Sequence, residues 1–209
     1  MSWTRTILPW VALAVAIAIP LAAAAASPLL AWRDPIYIIA GFAGVIALGL
    51  ILVQPLLIGG YLPGLPAYRG RRVHRWIGAT LILAVAIHVG GLWITSPPDV
   101  IDALLFVSPT PFSVWGVIAM WAIIAVAFLV ALRQRLRLRL RTWRIAHSLL
   151  AVVIVVGTVV HAVLIEGTME TMSKTALSAL AIAATIKVMA DLKVWTKRTP
   201  SRSAMSAAD

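Results

Sequence analysis

The four histidines of the chain fall into two pairs of identical spacing, His74 with His88 and His147 with His161, each fourteen residues apart. Fourteen residues is just under four turns of helix, so each pair lies on one helix face with its rings roughly 21 Å apart along the axis. The offset between the pairs is also matched, at 73 residues for both members. Two such helices side by side present two facing histidine pairs at two depths, and each facing pair has the ligand chemistry to clamp one flat iron cofactor. One shared zinc is excluded, because residues that far apart cannot converge on bonds of about 2 Å. A lone histidine in an apolar helix is ordinarily a hydrogen-bonding partner for a neighbouring helix or part of a proton path. Neither role calls for duplicated spacing at matched depth.

The elements that must position these rings are membrane helices. A 209-residue chain that is 62% hydrophobic and 12% charged has too little polar surface to cover a soluble domain. Six apolar stretches stand between polar breaks, at Ile7 to Ala31, Ile36 to Gly59, Val73 to Ile94, Ser113 to Leu132, Ile145 to Ile165 and Lys174 to Trp195. Each is long enough to cross a hydrocarbon core of about 30 Å as a helix, with Pro20 and Pro55 as points of bending. The expected fold is therefore an all-α integral membrane bundle of six transmembrane helices over residues 1–195, followed by a disordered cytoplasmic tail over 196–209. The first stretch also carries features of a secretory signal, with Arg5 ahead of it and the small residues Ala22 to Ser27 at its end. Its apolar run exceeds the usual 7–15 residues of a signal core, which favours a retained helix.

Charge fixes the expected orientation. Fifteen of the 18 lysines and arginines lie at the N-terminus, in the second loop (Arg69, Arg71, Arg72, Arg75), in the fourth loop (Arg133 to Arg144) or in the tail. In a six-helix serpentine these regions share one side, which the positive-inside rule makes the cytoplasm. The other side carries Arg33 and Lys174 with Asp34, Asp99, Asp102, Glu166 and Glu170. The net charge of +11 thus signifies topology and anionic lipid, with no nucleic-acid partner expected. The Arg-Leu alternation from Leu132 to Arg141 reads as a solvated anchor at that face, and Asp99 to Val107, between prolines, as a short surface helix on the other. Lys187 and Asp191 are spaced as a snorkelling ion pair near the inner end of the last helix. Cysteine is absent, so disulfides, thiolate metal sites and iron–sulfur clusters are excluded.

The neighbours of the histidines suit a flat macrocycle. One turn toward the membrane centre from each stands a small residue, Gly78, Ala84, Ala151 or Gly157. Such residues are also common wherever membrane helices touch. Arg71, Arg72, Arg75, Arg141 and Arg144 flank His74 and His147 and are candidates to pair with anionic side groups of a cofactor. At the other level the candidates are Trp93, Thr95 and Lys174.

The segments His74-Arg75-Trp76-Ile77-Gly78 through His88, and Trp143-Arg144-Ile145-Ala146-His147 through His161, resemble the ferric reductase-like transmembrane domain. That superfamily includes iron reductases, the membrane half of NADPH oxidases and the haem-binding subunit of the bacterial periplasmic methionine sulfoxide reductase system. The resemblance implies two bis-histidine haem b groups, one between His74 and His147 near the cytoplasm and one between His88 and His161 near the outside. Arg75, Arg144, Gly78 and Gly157 are the expected cofactor-binding neighbours. The expected location is a bacterial inner membrane, with both termini cytoplasmic by the distribution of basic residues. The chain lacks the flavin and NADPH domain that follows this module in the oxidases, and no segment identifies a flavin site.

The expectation is a di-haem b cytochrome that carries electrons from a cytoplasmic or quinol donor, such as a separate flavin reductase, to an acceptor at the outer face. It is an electron-transfer component without a nucleotide-binding domain of its own, and no catalytic side chain is assigned. A membrane subunit serving a separate periplasmic reductase is the nearest alternative. A non-redox transporter or structural protein is the alternative of another class.

Overall fold

The computed structural model describes residues 3–192, with side chains from residue 6 onward. The tail 196–209 lies outside the described residues, as do Lys193, Trp195 and the side chain of Arg5. The fold is all-helical: α1 (Trp3–Ala25), α2 (Pro35–Gly59), α3 (Ala67–Thr95), α4 (Pro97–Leu104), α5 (Pro111–Leu132), α6 (Leu140–Leu164) and α7 (Thr171–Asp191). All but α4 are long and apolar enough to cross a membrane. An isolated helix satisfies its own backbone hydrogen bonds, which is why apolar stretches of this length take no other form in lipid.

The helix ends differ from the apolar stretches in an instructive way. Helices α3 and α6 begin six and five residues before Val73 and Ile145, so Arg69 to Arg75 and Arg141 to Arg144 lie on helical turns. Hydropathy marks only the part of a helix that sits in hydrocarbon. The first helix, in contrast, stops at Ala25, well short of the expected Ala31. The Ser27 hydroxyl accepts the Leu29 N–H and Pro28 opens a separate 3-10 turn, which terminates α1. The surface helix is α4, two residues earlier than expected, with Ile101, Leu105, Phe106 and Val107 exposed along and beyond it. Pro20 and Pro55 sit within continuous helices. The Arg-Leu alternation forms the turns between α5 and α6, where Arg137 adopts a positive φ of 46° and Leu136 is exposed.

The bundle is built from two antiparallel hairpins, α2 with α3 and α5 with α6, tied together mainly by α7 against α2 and α6, with α1 outside. The hairpin helices pack closely because their contact positions are small. A Cβ on Gly91 of α3 would stand 2.8 Å from that of Ala40 on α2, and one on Gly157 of α6 would stand 3.0 Å from the Trp115 carbonyl oxygen on α5. One continuous core joins Leu48, Ile51 and Leu52 of α2, Leu81 and Ala84 of α3, Ile123 of α5, Ile154 and Val159 of α6, and Leu177 and Ala181 of α7. Helices α3 and α6, which carry the histidines, barely approach each other.

The arginine-rich end is fastened by side chains. Tyr61 donates its hydroxyl to Asp191 at 2.5 Å, Lys187 pairs with the same carboxylate at 2.9 Å and lies over the Tyr61 ring, and the Trp10 indole donates to the Pro63 carbonyl at 3.1 Å. At the opposite end α2 and α7 are capped by Asp34 and Glu170. The Glu170 carboxylate accepts the N–H groups of Ser173 at 2.6 Å and Met172 at 2.7 Å, and these bonds hold its pKa below the usual carboxylate range.

A carboxylate shifted this way stabilises the helix start fully above its ordinary value and loses that contribution as pH falls through the lowered folded value. Amide exchange in the first turn of α7, corrected for intrinsic rate, is therefore expected to rise on acidification through that window while α2 core amides do not change. Glu170→Gln, which still accepts hydrogen bonds, is expected to abolish the dependence.

Candidate functional site

The four imidazoles meet as the spacing requires. His74 on α3 and His147 on α6 have ring centres 6.2 Å apart with planes at 65°. His88 and His161 have ring centres 6.3 Å apart with planes at 81°. Both pairs bridge the space between the two hairpins, and the two pairs stand at opposite ends of it. Between them lie Leu81 and Ile154, each seven residues from both histidines of its helix and therefore on the same face two turns away. Both are buried, in the same apolar cluster, so an apolar layer separates the two levels.

What holds each ring is the neighbouring helix of its own hairpin. The Nδ1 of His88 is 2.7 Å from the Ala40 carbonyl oxygen on α2, and the Nδ1 of His161 is 2.9 Å from the Phe112 carbonyl oxygen on α5. A carbonyl inside a helix has a second lone pair, but the side chain four residues further on normally blocks it. Those positions are Gly44 and Gly116. A Cβ on Gly44 would stand 3.0 Å from His88 Nδ1, and one on Gly116 would stand 2.7 Å from His161 Nδ1. The two glycines are notches that admit the rings. An Nδ1–H donated to a carbonyl leaves Nε2 with its lone pair, the form of histidine that binds a metal.

The pair nearer the arginine-rich end is held differently. The Gln54 amide of α2 lies against His74, while Nδ1 of His147 has no hydrogen-bond partner among the described residues. Instead the Trp143 ring stacks on His147, with centres 5.3 Å apart and planes at 20°, and the Arg133 guanidinium lies over Trp143 at 4.6 Å. No three His, Cys, Asp or Glu side chains converge anywhere among the described residues, so the ligand chemistry is that of pairs.

The other expected residues are placed as follows. Arg71, Arg72, Arg75, Arg141 and Arg144 are exposed around the first turns of α3 and α6, and none forms an ion pair with an acidic side chain among the described residues. Gly78 faces the Gln54 amide and Gly157 faces α5, so both glycines lie against the partner helix of their own hairpin. Ala84 is buried and Ala151 half-buried. Trp93 is exposed, and Thr95 returns its hydroxyl to the Gly91 carbonyl at 3.0 Å. Lys174 is buried and donates to the Ile165 carbonyl at 2.6 Å, occupying a free acceptor at the end of α6 one turn beyond His161. Sequence reasoning missed Gly44, Gly116, Gln54 and the stacking role of Trp143. A signal for the first two exists: Ala40 and Gly44 recur as Phe112 and Gly116 at an offset of 72, one less than that of the histidines.

Gly116→Ala is expected to push the His161 ring off the Phe112 carbonyl at a cost of about 1–3 kcal/mol of overpacking. Nitrogen-15 spectra of histidine-labelled protein are expected to show His88 and His161 as Nδ1–H tautomers, with only the His161 signals losing that state in the variant.

The ferric reductase like transmembrane component family matches residues 40–158, more than half of the chain. The match opens at Ala40, whose carbonyl holds His88, and contains His74, His88 and His147; His161 lies three residues beyond it. No curated protein and no solved structure matches the chain. A six-helix membrane bundle with two facing histidine pairs, carrying this match, is a membrane redox module: the chain belongs to the ferric reductase like transmembrane component family.

Proposed function

We propose that the chain is a transmembrane electron conduit that holds two b haems, one between His74 and His147 and one between His88 and His161. The observation that carries this reading is the separation of the rings. A metal–imidazole bond is about 2.0 Å long and a ring nitrogen lies about 1.1 Å from its ring centre, so two rings on opposite faces of one iron have centres about 6.2 Å apart. The two pairs stand at 6.2 and 6.3 Å. Pairs, rather than larger clusters, suit an iron whose remaining ligands come from a macrocycle. Haem b supplies reversible one-electron redox chemistry.

The chain's own residues do the rest. His88 and His161 offer Nε2 because their Nδ1 atoms are bound to carbonyls. Leu81 and Ile154 keep water out of the layer between the levels. The exposed Arg71, Arg72, Arg75, Arg141 and Arg144 provide cations for carboxylate side groups and for anionic lipid at one end. With two histidines offered to each iron, exchange at either end would be outer-sphere, to a ferric chelate, oxygen, a quinone or a partner protein. The arginine-rich end is assigned to the cytoplasm of a bacterial cell, where a separate flavin reductase or quinol serves as donor, and a periplasmic acceptor protein fits the opposite end.

Reporter fusions placed in the loop at Pro63 and after Trp195 are expected on the cytoplasmic side, and one placed between Ser108 and Pro111 on the outer side. The opposite result reverses the inner and outer assignments.

In sealed vesicles of known orientation, His88→Ala and His161→Ala are expected to keep a haem reducible from the arginine-rich side and to lose transfer to an acceptor on the other. His74→Ala and His147→Ala are expected to keep only a haem reached by reductant from the opposite side. Four variants that each bind one haem and respond alike to impermeant reductants on both sides overturn the relay.

A further inference from the structure

Helix α2 runs against α3 in a register that sets Ala40 opposite His88 and Gln54 opposite His74. These two α2 positions are fourteen residues apart, the spacing of the histidines themselves. Beyond Tyr37 near its start, Gln54 is the one side chain of α2 that carries hydrogen-bonding groups. A polar amide in this apolar helix needs partners, since lipid supplies none. It finds them on the ligand helix. Turned so that both of its ends are satisfied, the amide NH2 donates to the His74 carbonyl at 3.3 Å and to His74 Nδ1, and its oxygen accepts the Gly78 N–H at 2.9 Å. A Cβ on residue 78 would stand 3.2 Å from the near end of the Gln54 amide, so Gly78 leaves the space that the amide uses.

The other hairpin supplies an internal control. Carried fourteen residues along α5 from Phe112, the same register sets Val126 opposite His147. Valine has no hydrogen-bonding side-chain group, and His147 Nδ1 is the one left without a partner among the described residues. Three of the four histidines therefore have Nδ1 held by α2 or α5, and only for His74 is the holder a side chain that both donates and accepts.

We propose that Gln54 is a positioning residue for His74, and that its amide selects which ring nitrogen is free to bind iron. With NH2 toward Nδ1, the ring proton sits on Nε2. With the amide turned by half, its oxygen takes an Nδ1–H and the Nε2 lone pair is free for a metal. Filling the site nearer the arginine-rich end is thus coupled to a turn of the Gln54 amide, whereas the fixed carbonyls of Ala40 and Phe112 keep His88 and His161 ready at all times. This inference rests on the two-haem reading above.

The test is titration of the full-length protein, stripped of haem in detergent, with haemin. Wild type is compared with Gln54→Leu, which neither donates nor accepts, and Gln54→Glu, which retains an acceptor. Loss of an outer partner of a metal-bound histidine costs about 10–100-fold in affinity. Gln54→Leu is expected to weaken one of two sites by that factor, to shift the low-spin electron paramagnetic signal of that haem and to leave the other site unchanged. Gln54→Glu is expected to restore the first site. Two sites filled as in wild type with unchanged signals in Gln54→Leu overturn the proposal, as does equal weakening of both sites accompanied by lower thermal stability. Gln54→Glu behaving as Gln54→Leu also overturns it. Wild-type protein that takes up no haemin overturns the two-haem reading and this inference together, a result separate from any behaviour of the variants.

Discussion

The imidazoles of His88 and His161 are held by helix carbonyls that already serve their own helices, and the rest of the site follows from that constraint. A second donor reaches such a carbonyl only where the overlying side chain is missing, hence Gly44 and Gly116. It reaches only if the two helices are close, hence the contacts of Gly91 with Ala40 and of Gly157 with Trp115 and Ala119. Each ring is thereby referenced to the backbone of its own hairpin, not to the opposite ring. The distance between facing rings is then set by how the hairpins are held apart, which is the work of α7 and the shared core.

This division has a consequence for the interior. Helices α3 and α6 face one another through their imidazoles at the two ends, while Leu81 and Ile154 enter the common core between them. An apolar layer therefore stands between the two histidine levels. A transporter of the kind that binds its substrate at the midplane uses broken helices and polar groups there. In this chain the helices run unbroken through that level, and the layer is apolar.

Much of this was legible in the residues because the bilayer enforces simple rules. Six apolar stretches became six helices, and matched histidine spacing became facing pairs, since both depend only on helix geometry and length. The failures have local causes. The first stretch was read through to Ala31 because hydropathy ignores the Ser27 hydroxyl and Pro28 that stop α1 at Ala25. Gly44, Gly116 and Gln54 were invisible because their meaning depends on the register between antiparallel helices, which no single helix encodes. Gln54 nevertheless carried a hint as a lone amide among apolar neighbours.

A two-haem conduit requires that each facing pair take up one haem. Purified full-length protein, loaded to saturation, is to be assayed for extractable haem b against polypeptide, together with its reduced-minus-oxidised spectrum. The two-haem reading predicts a ratio approaching two, with low-spin spectra at both sites because each iron would have two histidine ligands. A reproducible ratio of one or none, or a high-spin iron at either site in saturated protein, contradicts it.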